Sequence, residues 1–349
     1  MTNAASPDFQ LNRPGALIAA LPAVLGFVPE RSLVLVTLER GALGCVMRVD
    51  LTPELPEAAD ELARVAAAGP ADAAVAVIVD DRAPDCQACA AEQCLLADAL
   101  ADALDTVGIE LLAVHVVDRV AAGGRWRCVD DCGAAGVVED PRSSPVALAA
   151  VLDGRRLYDR RADLLAAVAP DPARTAAVAA VLGDAASGPG GPRSDADAQG
   201  VARAVLAAVD RVADGREPAD TELAGLARGL GDVRVREVCY ALAVGKRATA
   251  AEALWLLLAR STSTPWRTEA LVLLAFSAYA RGDGPLAGVA LDAALADAPG
   301  HRMAGMLDRA LQRGIHPERI RELALSGYRM AERLGVTLPP RGGLRPSRP

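Results

Sequence analysis

Ala74 to Asp80 reads Ala-Val-Ala-Val-Ile-Val-Asp, an unbroken apolar run that ends in a carboxylate. A strand with one wet face alternates apolar and polar side chains, so a run without alternation predicts a strand covered on both faces. The flanking sequence supplies the cover. Ser32–Glu39 and Gly44–Asp50 are further β-rich runs, separated by Arg40–Leu43, which reads as a hairpin turn. Thr52 and Pro53 open a helix as N-cap and first-turn residue, and Gly69 closes it. A second helix is predicted from Ala91 to Val107, stopped by Gly108 ahead of the strand Glu110–Asp118. Gly123-Gly124 then turns the chain into Arg125–Asp130, an antiparallel edge. Alternating strand and helix signals imply right-handed crossovers and a mostly parallel sheet.

After the irregular segment Cys132–Pro145, Asp171-Pro172 caps another helix that runs through Leu182 to Gly183. Residues 184–200 are rich in Gly, Ser, Pro and Asp, the composition of a flexible linker. Everything beyond is helical in period: Val201–Asp214, Thr221–Leu230, Val233–Val244, Ala250–Arg260, Pro265–Arg281, Pro285–Ala298, Arg302–Arg313 and Pro317–Met330. Thr249 and Glu252 have capping-box spacing. The expected fold is therefore α+β overall: an α/β domain over 1–183, a linker over 184–200, a helical domain over 201–335 and a disordered tail over 336–349. Leu274, Ala275, Gly282, Ala287, Leu291, Ala294 and Pro299 sit at offsets similar to those of a tetratricopeptide repeat. Ala278 stands where that repeat has an aromatic, so an ordinary Ala-rich hairpin is the simpler reading.

Composition narrows the function classes. Hydrophobic residues make up 52% of the chain but aromatics only 3%, so its cores must be close-packed Ala, Val and Leu. The net charge is −8, Lys246 is the only lysine, and no basic stripe follows the sequence. A phosphate-tracking nucleic-acid surface is not expected from such a chain. Ala16–Val28 is too short for a membrane span, carries Pro22 and runs into Glu30-Arg31. It reads as a buried helix and corner, in a cytoplasmic protein without a signal peptide.

The stretch Pro22–Leu51 has a Gly-Phe-Val-Pro corner at Gly26–Pro29, a Ser32-led strand, a turn, and a second strand ending Arg48-Val49-Asp50-Leu51. In this it resembles the actinobacterial domain of unknown function 4192 (DUF) family. The likeness continues through Arg125-Trp126, Gly154-Arg155, Arg160–Leu164, Gly282-Asp283-Gly284, Pro299-Gly300-His301, and Gly314 with Pro317. The resemblance implies an α/β half followed by a helical half, and it implies no activity. Relatives often pair two cysteines ahead of a proline after the Trp strand, whereas this chain has Cys128 and Cys132 apart.

Two constellations could carry chemistry. Asp50, Asp80 with Asp81, and Asp118 each end an apolar strand, and parallel strands would bring them to one sheet edge, where open α/β folds bind ligands. Carboxylates gathered there could hold Mg²⁺, which takes a few carboxylates together with water and phosphate oxygens. Cys86, Cys89 and Cys94 form a C-x2-C-x4-C segment, and with Cys128 or Cys132 they could complete a four-ligand zinc site. Cys45, Cys239 and His115 read as core residues, and His301 and His316 as helix-start residues. Arg155, Arg156, Arg160 and Arg161 make the densest basic cluster, most simply a solvated face. No phosphate loop, dinucleotide fingerprint or nucleophile elbow is present. The expected function is a non-enzymatic binding or regulatory module whose residues 265–298 meet a protein partner. The alternative is a divalent-metal enzyme acting on a phosphate-bearing small molecule through the aspartates.

Overall fold

The run Ala73–Val79 does form a strand covered on both faces, with six of its seven residues buried. The computed structural model describes residues 13–82, 87–130, 132–152, 155–183 and 194–340. The chain divides into two compact units, Met1–Leu164 with Gln312–Gly314, and Leu165–Leu311 with Ile315–Pro349.

In the first unit, helix α1 (Pro14–Leu25) is buried along nearly its whole length and ends at Gly26, whose φ of 75° turns the chain into the corner. Strands β1 (Ser32–Glu39) and β2 (Ala42–Asp50) follow as a hairpin. Its turn is tighter than expected: two residues, Arg40 and Gly41, both with positive φ, 50° and 79°. That is the handedness a two-residue hairpin needs to match strand twist. Thr37 sits at a bulge in this pair, where its hydroxyl donates to the Cys45 carbonyl at 3.1 Å and accepts from the Cys45 N–H at 2.8 Å. The Thr52-Pro53 start leads into a 3-10 turn, Leu55–Ala58, and only then into α2 (Ala59–Ala66). Next come β3 (Ala73–Val79), α3 (Gln87–Thr106), β4 (Glu110–Val117), β5 (Arg125–Cys128) and β6 (Ala135–Val137). Helix α4 (Pro145–Leu152) closes this part of the chain.

The sheet order is β2-β1-β3-β4-β5-β6. Only β3 and β4 pair in parallel; the other four pairings are antiparallel, so the mostly parallel sheet expected from the sequence is corrected. The cause is adjacency. The connection through α2 does bring β3 back in the same direction as β2, but β1 lies between them and meets both antiparallel. One face of the sheet packs Leu33, Leu35, Ala74, Ala76, Ile78, Val114 and Val116 against Leu62, Leu96, Leu100 and Leu104 of α2 and α3. Strand alternation sends Val34, Val77, His115 and Cys128 to the other face.

Helix α5 (Arg161–Val168) spans the division, and α6 (Pro172–Leu182) opens with the expected Asp171 cap, whose carboxylate accepts the Arg174 N–H at 3.1 Å. The stretch Arg161–Leu182 is long and apolar enough on average to cross a membrane. Pro170-Asp171-Pro172 breaks it into helices of 8 and 11 residues, each well short of the ~20 a helical span needs.

The second unit continues with α7 (Asp195–Ala213), α8 (Asp220–Gly229), α9 (Val233–Ala241), α10 (Ala248–Ser261), α11 (Trp266–Arg281), α12 (Gly284–Asp297), α13 (Arg302–Gln312) and α14 (Pro317–Arg333). Of the expected linker, residues 184–193 lie outside the described residues, and the remainder is helical. Ser194 and Asp197 form a reciprocal capping box that starts α7 six residues before the apolar period does. The box expected at Thr249 is absent: Arg247 is the N-cap of α10, and Glu252 instead accepts hydrogen bonds from Arg281 at 2.7 and 3.1 Å. Of the expected disordered tail, residues 341–349 lie outside the described residues, whereas Val336 is buried and donates to the Ala331 carbonyl at 2.8 Å.

Small residues set the close approaches of this unit. A side chain added at Gly327 of α14 would place its Cβ 2.2 Å from the Glu237 carbonyl oxygen of α9. At Gly229 of α8 it would meet Val201 of α7 at the same distance. Every residue of Trp266–Ala280 except the half-buried Glu269 is buried, so α11 is the interior helix of the unit. Within 265–298, α11 is spent on the core, and the half-buried and exposed residues lie mainly on α12.

Candidate functional site

Strand parity decides which groups meet at the sheet edge. Ile78 pairs with Val116 and Val116 with Arg127, so Asp80, Asp118, Arg125 and Arg127, each two residues along or directly opposite, all fall on the α3 face. There, past the carboxyl ends of the parallel pair, they line a cavity of about 140 Å³ together with Arg82, Cys89, Ala90, Gln93, Val116 and Trp126.

Asp80 is the buried centre of the edge, only 3% exposed. Arg82 grips its carboxylate with two nitrogens, Nε to Oδ1 at 3.0 Å and Nη2 to Oδ2 at 2.9 Å, and adds its backbone N–H at 3.2 Å. Gln93, one helical turn into α3 from Cys89, donates its amide to Oδ2 at 3.1 Å. Burial by itself pushes the Asp80 carboxyl up, but these hydrogen bonds and the Arg82 charge outweigh it and hold the group below the usual carboxylate range. The amide oxygen of Gln93 in turn accepts from Arg127 Nη2 at 2.6 Å. Arg82 also reaches Glu92 at 2.9 Å. Asp118 accepts the Arg125 N–H at 2.8 Å and pairs with Arg119 at 3.2 Å.

The guanidinium groups of this cavity differ in one respect. Arg82 has two carboxylates and Arg125 approaches Asp118 at 3.9 Å. Arg127 bonds only neutral oxygens, the Gln93 amide and, at 3.5 Å, the Cys128 carbonyl. Among the described residues no carboxylate pairs with Arg127, and it carries its charge into the cavity unmatched.

The expected aspartate cluster is brought together only in part. The carboxyl ends of β2, β3 and β4 do lie on one edge of the sheet. Asp50, however, pairs with Ser32, which pairs with Val79, so parity sends it to the face opposite Asp80. It also stands two strand spacings away, roughly 10 Å, and is engaged by Arg48 at 2.6 Å. Asp81 is exposed and approaches Arg31 at 3.9 Å. Mg²⁺ binds its oxygens at about 2.1 Å, so this separation cannot be bridged by one ion, and Asp80 already has four donors on its carboxylate.

The thiols divide likewise. Cys86 lies outside the described residues. Cys89 is buried beside the cavity and Cys94 is exposed, five residues on along the same helix and therefore on a different side of it. Cys45 is half-buried, and Cys239 is fully buried with its thiol pushed well up by desolvation. Cys128 and Cys132 do come together, and they do so with Asp130: one ligand atom from each lies within 4.8 Å of the others. Burial first, and then hydrogen bonding to Asp130, pushes the Cys128 thiol up to about 11. Asp130 is held down by hydrogen bonds from both thiols and from the Cys132 N–H. Opposite Cys128 on β4, His115 packs edge-on against Trp126, ring centroids 5.2 Å apart, and its buried Nδ1 has no hydrogen-bond partner among the described residues. The remaining histidines serve helix starts: His301 Nδ1 accepts the Ala304 N–H at 3.2 Å, and His316 is the N-cap of α14 beside Glu318.

Arg82, Gln93, Arg125 and Arg127 were not singled out from the sequence as site residues. Arg125 and Arg127 carried a signal: two arginines two apart on a short strand must share a face. The family model for a domain of unknown function (DUF4192) matches residues 14–318, and the chain belongs to that family. No curated protein and no solved structure matches it.

Proposed function

We propose that this member of the family is a binding module that takes a small anionic molecule, one bearing a phosphate or carboxylate group, at the carboxyl edge of β3 and β4. The observation that carries this reading is Arg127, a cavity guanidinium held in place by Gln93 and, among the described residues, left without a carboxylate. Three arginines face two aspartates around the cavity, so its lining has a net positive charge within a chain that is acidic as a whole. A guanidinium fork matches phosphate and carboxylate oxygens in geometry as well as charge. The volume of about 140 Å³ is well below the roughly 300–1,000 Å³ of sites that enclose a whole drug-sized ligand. It fits one anionic group with the rest of the ligand outside.

The runner-up, a divalent-metal enzyme on a phosphate-bearing substrate, has weaker support. Its three carboxylates divide between two sheet faces, and the buried one is occupied by Arg82 and Gln93.

The test is thermal unfolding of the full chain against inorganic phosphate and a panel of small phosphorylated and carboxylated metabolites. A ligand at 100 times its Kd stabilises the native state by about 2.7 kcal/mol, which is read as a clear rise in Tm. The rise should be present in the parent chain and absent in Arg127→Gln. A panel that leaves Tm unchanged, or a rise that survives in Arg127→Gln, would remove the anion reading.

A further inference from the structure

A second site is built on the other face of the sheet. The chain leaves β5 at Cys128 and returns within six residues, because the Cys128 N–H donates to the Ala134 carbonyl at 2.9 Å. Val129 is buried and its N–H donates to the Val114 carbonyl at 2.9 Å, which anchors the base of this loop to β4. Within it, the Cys132 N–H donates to Asp130 Oδ1 at 3.3 Å, folding Cys132 back toward the end of the strand. The backbone thus holds two thiols and a carboxylate with their ligand atoms within 4.8 Å of one another. Cys128 faces inward, while Asp130 and Cys132 are exposed and leave an open approach.

We propose that Cys128, Asp130 and Cys132 form a site for a thiophilic divalent cation, zinc by chemistry, with the fourth position open to water or to an incoming ligand. Two thiolates and one carboxylate are a donor set for zinc, whereas Mg²⁺ and Ca²⁺ require oxygen throughout. The spacing fits one tetrahedral ion, since zinc–sulfur bonds of about 2.3 Å and zinc–oxygen bonds of about 2.0–2.2 Å put neighbouring donors roughly 3.5–4 Å apart. A second, independent feature sits beside the cluster. His115, 6% exposed and directly opposite Cys128, keeps a buried Nδ1 with no hydrogen-bond partner among the described residues, a group that ordinarily finds one. The site involves neither Cys89 nor Cys94, and it lies across the sheet from the arginine cavity.

Cobalt(II) is the probe, because thiolate coordination gives it an intense charge-transfer band and tetrahedral geometry gives it strong visible absorption. The full chain, reduced and stripped with a chelator, should take one equivalent of Co²⁺ with both signatures, and Zn²⁺ should bleach them stoichiometrically. Cys132→Ser and Asp130→Asn change exposed side chains and leave the fold intact by circular dichroism; Cys132→Ser should abolish the charge-transfer band, and Asp130→Asn should abolish tight binding. Cys94→Ser should retain the parent spectrum. No band in the parent chain, or an unchanged band in Cys132→Ser, overturns the site. So does a chain that binds no cobalt when reduced and loses the Cys128 and Cys132 thiols together on mild oxidation, which would make the two a disulfide-forming pair.

Discussion

The two units treat buried arginine differently. In the helical unit several half-buried guanidinium groups close on carboxylates, Arg281 on Glu252 and Asp283, Arg267 on Asp297 and Arg236 on Glu269, whereas Arg260 bonds the Ala167 carbonyl. These pairs tie α9, α10, α11 and α12 to one another, and their chemistry is consumed by the fold. In the α/β unit Arg82 does the same for Asp80, but Arg127 two strands away is set against an amide. An arginine that closes on a carboxylate belongs to the architecture. One that is positioned by a neutral group keeps its charge for something else, and the site assignment rests on that difference.

The comparison can be strained from either side. The largest effect is expected in the helical core, where Phe276→Ala, fully buried against Tyr240, should cost about 3–5 kcal/mol in urea unfolding. Hydrogen exchange should place that loss in the helical unit, with the proposed anion binding at Arg127 unchanged. Next comes Asp80→Asn, which removes the buried charge that Arg82 and Gln93 bind at the sheet edge and should cost about 2 kcal/mol at neutral pH. The sign of its pH dependence follows from the depressed Asp80 pKa in the folded chain. The stabilisation is present above the unfolded carboxylate pKa of about 3.9 and is lost as pH falls through the lower folded value. Acid titration of parent and Asp80→Asn chains should therefore show their stabilities converging as pH falls below about 4, and a gap that persists would contradict the assignment. Arg281→Gln, which removes the two guanidinium hydrogen bonds to Glu252, should cost about 1–2 kcal/mol and leave ligand binding as it was. Arg127→Gln should have the smallest effect on stability, under about 1 kcal/mol, because the Gln93 contact it removes joins a charge to a neutral amide.

What could be read in the sequence followed local rules. The apolar run of β3, the capped start of α6 and the strand β1 appear where hydrophobic period and capping residues put them. What could not be read depended on neighbours. Nothing in the run Gly44–Asp50 states that β1 will lie between β2 and β3, yet that single insertion makes the sheet mostly antiparallel. The same insertion, through register, turns Asp50 away from Asp80: a one-residue difference in strand parity exchanges faces. Arg127 was equally hidden, since its meaning comes from Gln93, 34 residues earlier on a helix. The helical pattern of Pro265–Arg281 was legible, but not that α11 would be wrapped by its neighbours, because in an Ala- and Leu-rich helix the buried stripe has no clear border. Residues 194–200 were obscured by composition, their Asp-rich start reading as linker while serving as a capping box.

Isothermal titration calorimetry distinguishes an Arg127 charge that is open to a ligand from an Arg281 charge that Glu252 and Asp283 consume. The anion that stabilises the parent chain is titrated into Arg127→Gln and Arg281→Gln under identical salt. The account predicts that the heat of binding disappears in Arg127→Gln and remains in Arg281→Gln. Equal heats in the two variants, whether retained or lost, would contradict it.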